Sequence, residues 1–244
     1  MTRHPSGLTI VGPGAITPAV RAIILTNVAL YLITFAVPEL VVALLGLTPQ
    51  SVIERGWIWQ PVTYLFVHEP RGLFHILFNM LALWMFGIEL ERRWGTVAFA
   101  KFYFICGVGA GLCVLAAALL FDGSGASYLI PTIGASGAIF GLLLAWAMVF
   151  PNRTILFMLI FPLPAKVFAI IMGAIAFLGA TSSAGPVSHV AHLGGMVIGW
   201  FYLKGPRNLN LELQYRLARW RMERTRRKFN IHRGGRDDWE DRIH

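Results

Sequence analysis

The sequence predicts an all-α polytopic membrane protein with six transmembrane helices, and composition, apolar runs and basic residues each contribute to that prediction. Of its 244 residues, 56% are hydrophobic and only 14% are charged, and the mean hydropathy is +0.63. Soluble domains are usually about half apolar and a quarter charged. Apolar runs near 20 residues, long enough to cross a hydrocarbon core roughly 30 Å thick, recur along most of the chain.

These runs divide the chain into an N-terminal segment, 1–20, a membrane domain, 21–204, and a basic tail, 205–244. The first segment is rich in Gly and Pro and lacks the apolar core and cleavage site of a signal peptide. We therefore expect it to be retained, with the first span acting as the insertion signal. The six spans are predicted at about 21–45, 74–93, 97–121, 134–150, 166–181 and 188–204.

The stretch "ILFMLIFPLPAK" precedes the fifth span and is predicted to be an interfacial connection. Pro162 and Pro164 lack backbone donors, which disfavours a continuous helix there. The fifth span is therefore expected to begin at the boundary marked by Lys166.

Basic residues predict the orientation, because cytoplasmic loops carry the excess of Lys and Arg. They concentrate before span one, between spans two and three, between spans four and five, and after span six, whereas only Arg55 and Arg71 lie on the other side. Both termini are therefore expected in the cytoplasm. No organelle targeting segment is evident, which favours the bacterial inner membrane.

The tail supplies most of the net charge of +9, because from Lys204 onward it holds twelve basic and six acidic residues. An apolar stripe at helical spacing runs between its arginines: Leu209, Leu213, Leu217 and Trp220. Such a helix can lie on anionic lipid. A solvated tail that only fixes orientation is the equal alternative, and nucleic-acid binding is disfavoured because no recognition module accompanies the charge.

The cysteines predict neither a disulfide framework nor a metal site. Cys106 and Cys113 lie seven residues apart in one apolar run, where small core-facing residues are expected. No Cys/His cluster has zinc spacing, and no glycine-rich phosphate loop follows a strand. We expect no cofactor.

Unusual polar residues lie at the starts of spans two, four and six, which share one depth near the outer face. Span two carries His75 and Asn79 on one helix face, span four carries Ser136, and span six carries His189 and His192. Each has an ordinary structural explanation, such as a hydrogen bond within or between helices. Together, a hydroxyl, an imidazole and two side-chain donors are the groups that acyl transfer requires.

Small residues predict that spans four and six approach closely enough for these groups to meet. They form two ridges at a spacing of four: Gly137, Gly141 and Ala145, and Gly195 and Gly199. His192 lies three residues before Gly195, on the ridge side of the helix, and His189 lies three residues before His192. Periodicity alone therefore leaves both histidines open as partners of Ser136.

Four motifs, in order along the chain, resemble the rhomboid family of intramembrane serine proteases over about residues 55–203. They are H-x-x-x-N (His75, Asn79), G-x-x-x-E-x-x-x-G (Gly87, Glu91, Gly95), G-x-S-G (Gly134, Ser136, Gly137) and A-H-x-x-G-x-x-x-G (Ala191, His192, Gly195, Gly199). The resemblance selects His192 over His189.

The resemblance implies a Ser-His dyad in which Ser136 attacks a peptide carbonyl and His192 transfers the proton. Oxyanion donors would be the Ser136 backbone N–H, the Asn79 amide and the His75 imidazole. Asp122 and Glu69 are not expected to orient His192.

By the same resemblance, the substrates are single-pass transmembrane proteins cleaved near the outer face. Span five, short and bordered by prolines, is the expected movable side, with Phe168 and Phe177 as candidate gate residues.

Two positions depart from the family pattern. Gln60 follows Trp59 where an arginine is common, which is expected to soften the anchoring of the first loop, and Phe140 replaces a common tyrosine. Trp57, Trp59, Tyr64 and Phe66 suit a loop lying in the membrane interface.

Two other functions remain as alternatives. One is a catalytically silent rhomboid-like protein that binds transmembrane clients, although both the serine and the histidine are present. The other is a transporter or channel, which the single outer layer of polar residues and the lack of an evident inverted repeat disfavour.

Overall fold

The computed structural model describes residues 14–122, 125–157, 161–181 and 186–205, and within them the chain is mostly helical. Three of the described helices are long and apolar enough to cross a membrane: Pro18–Ala36, Leu73–Trp94 and Thr96–Phe121. The helical membrane architecture predicted from the sequence is confirmed. The amphipathic stripe of the tail lies outside the described residues.

Helices occupy all six predicted positions. The helices at these positions are α1 (Pro18–Ala36), α2 (Pro38–Leu45), α5 (Leu73–Ala82), α6 (Ile88–Trp94), α7 (Thr96–Ala117), α9 (Ser136–Val149), α10 (Ala165–Ala180) and α11 (Pro186–Lys204). A π-helical segment, Leu83–Gly87, joins α5 to α6. Short helices fill the connections: α3 (Pro49–Arg55), α4 (Gln60–Thr63), the 3₁₀ turn Tyr64–Phe66 and α8 (Ala126–Leu129).

The first predicted span, 21–45, is wrong as a single continuous helix. The chain leaves helical geometry at Val37 (φ −137°, ψ 65°) and starts α2 at Pro38. Proline disfavours helical geometry in the residue before it, and its own fixed φ suits the first position of a new helix. Apolar residues lie on both sides of Pro38 and Glu39, and they conceal the break in a hydropathy profile.

Glu91 in α6 fastens the start of α1 to the bundle. Its two carboxylate oxygens accept the backbone N–H groups of Ala19 (2.9 Å) and Val20 (3.0 Å). One of them also accepts the hydroxyl of Thr96 at 2.8 Å. The first N–H groups of a helix have no partner within the helix. A buried acid four residues after Gly87 thus serves as the cap of another helix.

Helix α7 forms the centre of the core. Its fully buried residues face α1, α6 and α9: Phe99, Phe102, Tyr103, Cys106 and Ala110. A Cβ on Gly107 would lie only 2.6 Å from Leu65 Cδ2, so glycine is needed for Leu65 to pack here. The core therefore holds the turn Tyr64–Phe66 against the middle of α7.

The connection before α10 is a β-hairpin, which the sequence analysis did not foresee. Strands β1 (Thr154–Phe157) and β2 (Phe161–Pro164) pair antiparallel, with Ile155 opposite Leu163. Arg153, just before β1, forms an ion pair with Glu89, which also accepts the indole N–H of Trp146 at 2.7 Å. The hairpin is thereby tied to α6 and α9.

Candidate active site

Ser136 is the first residue of α9 and follows a segment that is held from two sides. Thr132 exchanges two backbone hydrogen bonds with Leu47 (2.8 and 2.9 Å), and the N–H of Gly134 donates to the carbonyl of Tyr64 (2.9 Å). Gly134 has φ +116°, a region that side chains rarely allow. The glycine therefore permits the turn that presents Ser136 at the start of the helix.

The first turn of α9 has free donor capacity beside Ser136. Ala135 occupies the position before the helix, and its side chain provides no capping hydrogen bond. The opening N–H groups of a helix lack partners within the helix and carry the positive end of its dipole. An anion next to the Ser136 hydroxyl would find suitable donors here.

His192 lies within hydrogen-bonding distance of Ser136. Its Nε2 is 2.9 Å from the serine Oγ. The imidazole stacks on Phe140 with ring centroids 4.1 Å apart and planes 2° from parallel, and His189 meets it edge-on at 5.9 Å. Geometry therefore pairs Ser136 with His192, and His189 lies behind the pair.

Glycines explain how α9 and α11 bring these side chains together. A Cβ on Gly195 would overlap the carbonyl oxygen of Gly137, and a Cβ on Gly199 would lie 3.4 Å from the Cα of Gly141. The two backbones are thus in direct contact along both predicted ridges. Such approach is possible only where both helices lack side chains.

His75 in α5 lies beside the segment that precedes Ser136, and Asn79 follows it one helical turn later. A Cβ on Gly134 would be 2.7 Å from His75 Nε2, so this nitrogen faces the segment before the serine. The Asn79 amide donates to the backbone carbonyl of His75 at 2.7 Å, and its side chain is largely buried. An amide nitrogen carries two hydrogens, so one remains for another acceptor.

His68 is a residue of this region that the sequence analysis missed. It is completely buried, its ring lies edge-on to His75 at 5.0 Å, and neither ring nitrogen has a hydrogen-bond partner among the residues described. Burial, reinforced by the nearby His75, lowers the pKa of His68 from 6.5 to about 4. It is therefore neutral at physiological pH.

Gln60 binds the backbone of the first loop from inside the protein. Its side chain is fully buried, donates to the carbonyl of Ala43 (3.1 Å) and accepts the N–H of Thr48 (3.0 Å). The indole N–H of Trp59 donates to Leu44 at 2.9 Å. An amide can satisfy both backbone donors and acceptors, so Gln60 secures the loop to the end of α2.

Tyr64 also differs from its predicted interfacial position. It is almost fully buried, and its hydroxyl donates to the carbonyl of Gly107 in α7 at 2.6 Å. Trp57 and Trp59 instead stack on each other at 5.5 Å, with Trp59 exposed. The buried hydroxyl of Tyr64 therefore links the turn Tyr64–Phe66 to α7.

The two candidate gate residues on α10 differ in their surroundings. The ring of Phe168 is partly buried and lies 6.5 Å from that of Phe86, whereas Phe177 is exposed.

Glu69 and Asp122 are the two acids that were not expected to orient His192. The carboxylate of Glu69 accepts the N–H of Arg71 at 3.4 Å, and the side chain of Asp122 lies outside the described residues.

Sequence comparisons give matches to rhomboid proteins from a plant, a yeast and a bacterium. RHOMBOID-like protein 1 of Arabidopsis thaliana is 35% identical over 159 residues, which are 64% of this chain and 36% of that protein. Rhomboid protein 1, mitochondrial, of Saccharomyces cerevisiae is 29% identical over 62% of this chain and 43% of its own length. Rhomboid protease GluP of Bacillus subtilis is 32% identical over 64% and 27%, respectively.

The chain therefore matches well under half the length of each of these three relatives. A family model described as "Rhomboid domain" matches residues 55–205. That region includes α5, α9 and α11, and with them His75, Asn79, Ser136 and His192. This chain is an integral membrane protein that belongs to the rhomboid family.

Proposed function

We propose that this protein is an intramembrane serine endopeptidase that cleaves transmembrane proteins near the outer membrane face through a Ser136–His192 dyad. The observation that carries the proposal is the 2.9 Å separation of His192 Nε2 and Ser136 Oγ. A hydroxyl is a weak nucleophile until an adjacent base removes its proton. The match to a family that includes a named protease supports the same reaction class.

In this mechanism the Ser136 hydroxyl attacks the scissile carbonyl while His192 Nε2 accepts its proton. The tetrahedral intermediate collapses when His192 returns the proton to the leaving amine. Water then attacks the acyl group, His192 accepts a proton from the water, and the proton returns to Ser136 as the serine leaves. The stacked ring of Phe140 restricts His192 to one plane. Ring stacking, rather than a carboxylate, is the proposed orienting contact.

The oxyanion is proposed to accept hydrogen bonds from the Ser136 backbone N–H, the Asn79 amide and His75 Nε2. Their support is the location of Ser136 at an uncapped helix start and the approach of His75 Nε2 to Gly134. Removal of one oxyanion donor commonly costs on the order of a hundredfold to a thousandfold in rate.

Single-pass transmembrane proteins are the proposed substrates, with α10 as the side of entry and Phe168 and Phe177 beside it. The bacterial inner membrane, cytoplasmic termini and contact of the basic tail with anionic lipid are part of the same proposal. The cytoplasmic termini and the lipid contact are supported by the distribution of Lys and Arg.

Fluorophosphonate labelling of the purified protein in detergent tests the dyad. Wild type should be labelled, Ser136→Ala and His192→Ala should not, and His189→Ala, on the same helix, should keep most of the labelling. Loss of labelling in His189→Ala together with retention in His192→Ala would show that His189 is the base and that the assignment to His192 is wrong. A folded wild type that is neither labelled nor active would favour a client-binding protein without catalysis.

A further inference from the structure

The two nitrogens of His75 have different surroundings. Nδ1 accepts the backbone N–H of Glu69 at 3.3 Å. Nε2, on the far side of the ring, faces Gly134, where a Cβ would be only 2.7 Å away. The ring therefore lies between the loop 67–72, which contacts Nδ1, and the segment that precedes Ser136, which Nε2 faces.

This arrangement determines where the proton of a neutral imidazole resides. Neutral histidine carries one proton, on either Nδ1 or Nε2, and the other nitrogen is an acceptor. A nitrogen that accepts an N–H cannot itself be protonated. The bond from Glu69 therefore leaves the proton on Nε2, where it points toward the segment that leads to Ser136.

The loop that supplies the Glu69 N–H is itself fixed. The hydroxyl of Tyr31 in α1 donates to the carbonyl of Pro70 at 3.3 Å. The N–H of Gly72 donates to the carbonyl of Glu69 (3.1 Å), and the N–H of His75 donates to the carbonyl of Gly72 (2.8 Å). This turn holds the donor and the ring in one local unit.

His68 packs against the His75 ring, which is itself only partly buried. Its fully buried imidazole lies against His75 with an angle of 61° between the planes. A packed neighbour resists the 180° rotation that would exchange Nδ1 and Nε2. Because His68 is neutral, it does so without placing a positive charge beside the ring.

We propose that the loop 67–72 is a positioning element for the oxyanion site, in which the backbone N–H of Glu69 fixes the tautomer of His75 with its proton on Nε2. The purpose of this device rests on the proposed protease function. The opposite tautomer would turn a lone pair toward a developing oxyanion and repel it. Glu69 thus acts through its main chain, and its carboxylate takes no part.

The test is the tautomer itself, measured in the full-length protein with ¹⁵N-labelled histidine in detergent. Long-range ¹H–¹⁵N spectra distinguish a protonated ring nitrogen from an unprotonated one, and a His75→Asn variant identifies its signals among the seven histidines. Wild type should show the proton on Nε2. Glu69→Ala, which keeps the N–H, should show the same tautomer, and Glu69→Pro, which lacks it, should show protonation at Nδ1 or a mixture.

Protonation of His75 at Nδ1 in wild type would overturn the inference, even if the proline variant failed to fold. An unchanged Nε2–H tautomer in folded Glu69→Pro would overturn it as well. In the activity assay, Glu69→Pro should lower kcat/KM by about tenfold, less than complete loss of an oxyanion donor.

Failure of the proposed function gives a different pattern. An Nε2–H tautomer that depends on Glu69, in a wild type without fluorophosphonate labelling or proteolysis, would retain the inference and reject the protease. Tyr31→Phe offers a milder variant, because it removes only the hydroxyl that holds Pro70. It should increase the Nδ1–H population less than Glu69→Pro does, and an increase larger than that of Glu69→Pro would contradict the assigned donor.

Discussion

Helices α10 and α11 follow one another in the chain, yet they differ sharply in how they are packed. Helix α11 contacts α9 backbone to backbone, with Gly195 against the carbonyl of Gly137. Helix α10 buries only small side chains, those of Ala165, Ala169 and Ala176, whereas its exposed residues include Ile170, Ile175, Phe177 and Leu178.

Under the proposed function, this contrast separates two tasks of the protein, catalysis and the admission of substrate. Reacting groups must keep their geometry to within a fraction of an ångström, which favours the closely packed pair α9 and α11. Admission of a substrate helix requires a movable element, and elements with few buried contacts open at the lowest cost in free energy. Neither Ser136 nor His192 belongs to α10, so we expect a shift of α10 to change their separation less than a shift of α9 or α11 would.

The largest expected effect comes from separating α9 and α11. Gly195→Ala would place a methyl group on the carbonyl oxygen of Gly137, which can move only with the helix backbone. We expect activity to fall at least about a hundredfold and the folded state to lose roughly 1–3 kcal/mol from overpacking. Cleavage of a transmembrane substrate and thermal unfolding in detergent measure the two effects.

Gly173→Ala in α10 is the matched control for this variant. Its Cβ would lie 3.4 Å from the flexible end of Met196, which is an ordinary contact. Activity and stability should therefore stay within about twofold and 0.5 kcal/mol of wild type. Equal losses in both glycine variants would show that α10 is packed as tightly as α11 and would remove the contrast.

A smaller effect is expected from the ring that orients His192. Phe140→Ala removes a stacked partner at 4.1 Å, an interaction worth about 1 kcal/mol beyond its buried area. The expected result is a five- to tenfold decrease in kcat, with KM less affected, measured by initial rates at several substrate concentrations. Phe121→Ala, an exposed residue at the end of Thr96–Phe121, should leave both constants unchanged. A KM effect alone would assign Phe140 to substrate binding.

The smallest effect is expected at the hairpin that leads into α10. Arg153→Gln removes the ion pair with Glu89. In this pair the side chain of Arg153 is half-exposed and that of Glu89 is partly exposed. Exposed ion pairs contribute at most about 1 kcal/mol. Stability should decrease by that amount or less, and activity should change by less than threefold. A larger loss of activity than of stability, absent in Arg93→Gln, would indicate that the hairpin governs α10.

The sequence predicted the helices well because hydropathy records burial in lipid over whole turns. The second span was expected at 74–93, and the helix extends from Leu73 to Trp94. It also predicted which glycines face each other, since helical periodicity fixes their side. Pro38 was visible, but the break it causes was missed because apolar residues resume directly after Glu39.

Other parts of the site left no periodic signal. His68 lies in a loop, where spacing along the chain does not reveal that its ring meets His75. The donor to His75 is the main chain of Glu69, and a backbone N–H is present at every residue except proline. The hairpin, in which Thr154 pairs with Pro164, was missed because proline disfavours a strand as well as a helix. The catalytic roles of Ser136, His192, His75 and Asn79 stay predictions.

The cap on α1 has a consequence for how the chain is made. Its N–H groups at Ala19 and Val20 are satisfied by a carboxylate 71 and 72 positions later in the chain. At about 5–20 residues per second, a ribosome needs roughly 4–14 s to add that many residues. The first helix is therefore synthesised seconds before its own cap, and its opening N–H groups find their partner only after Glu91 has followed.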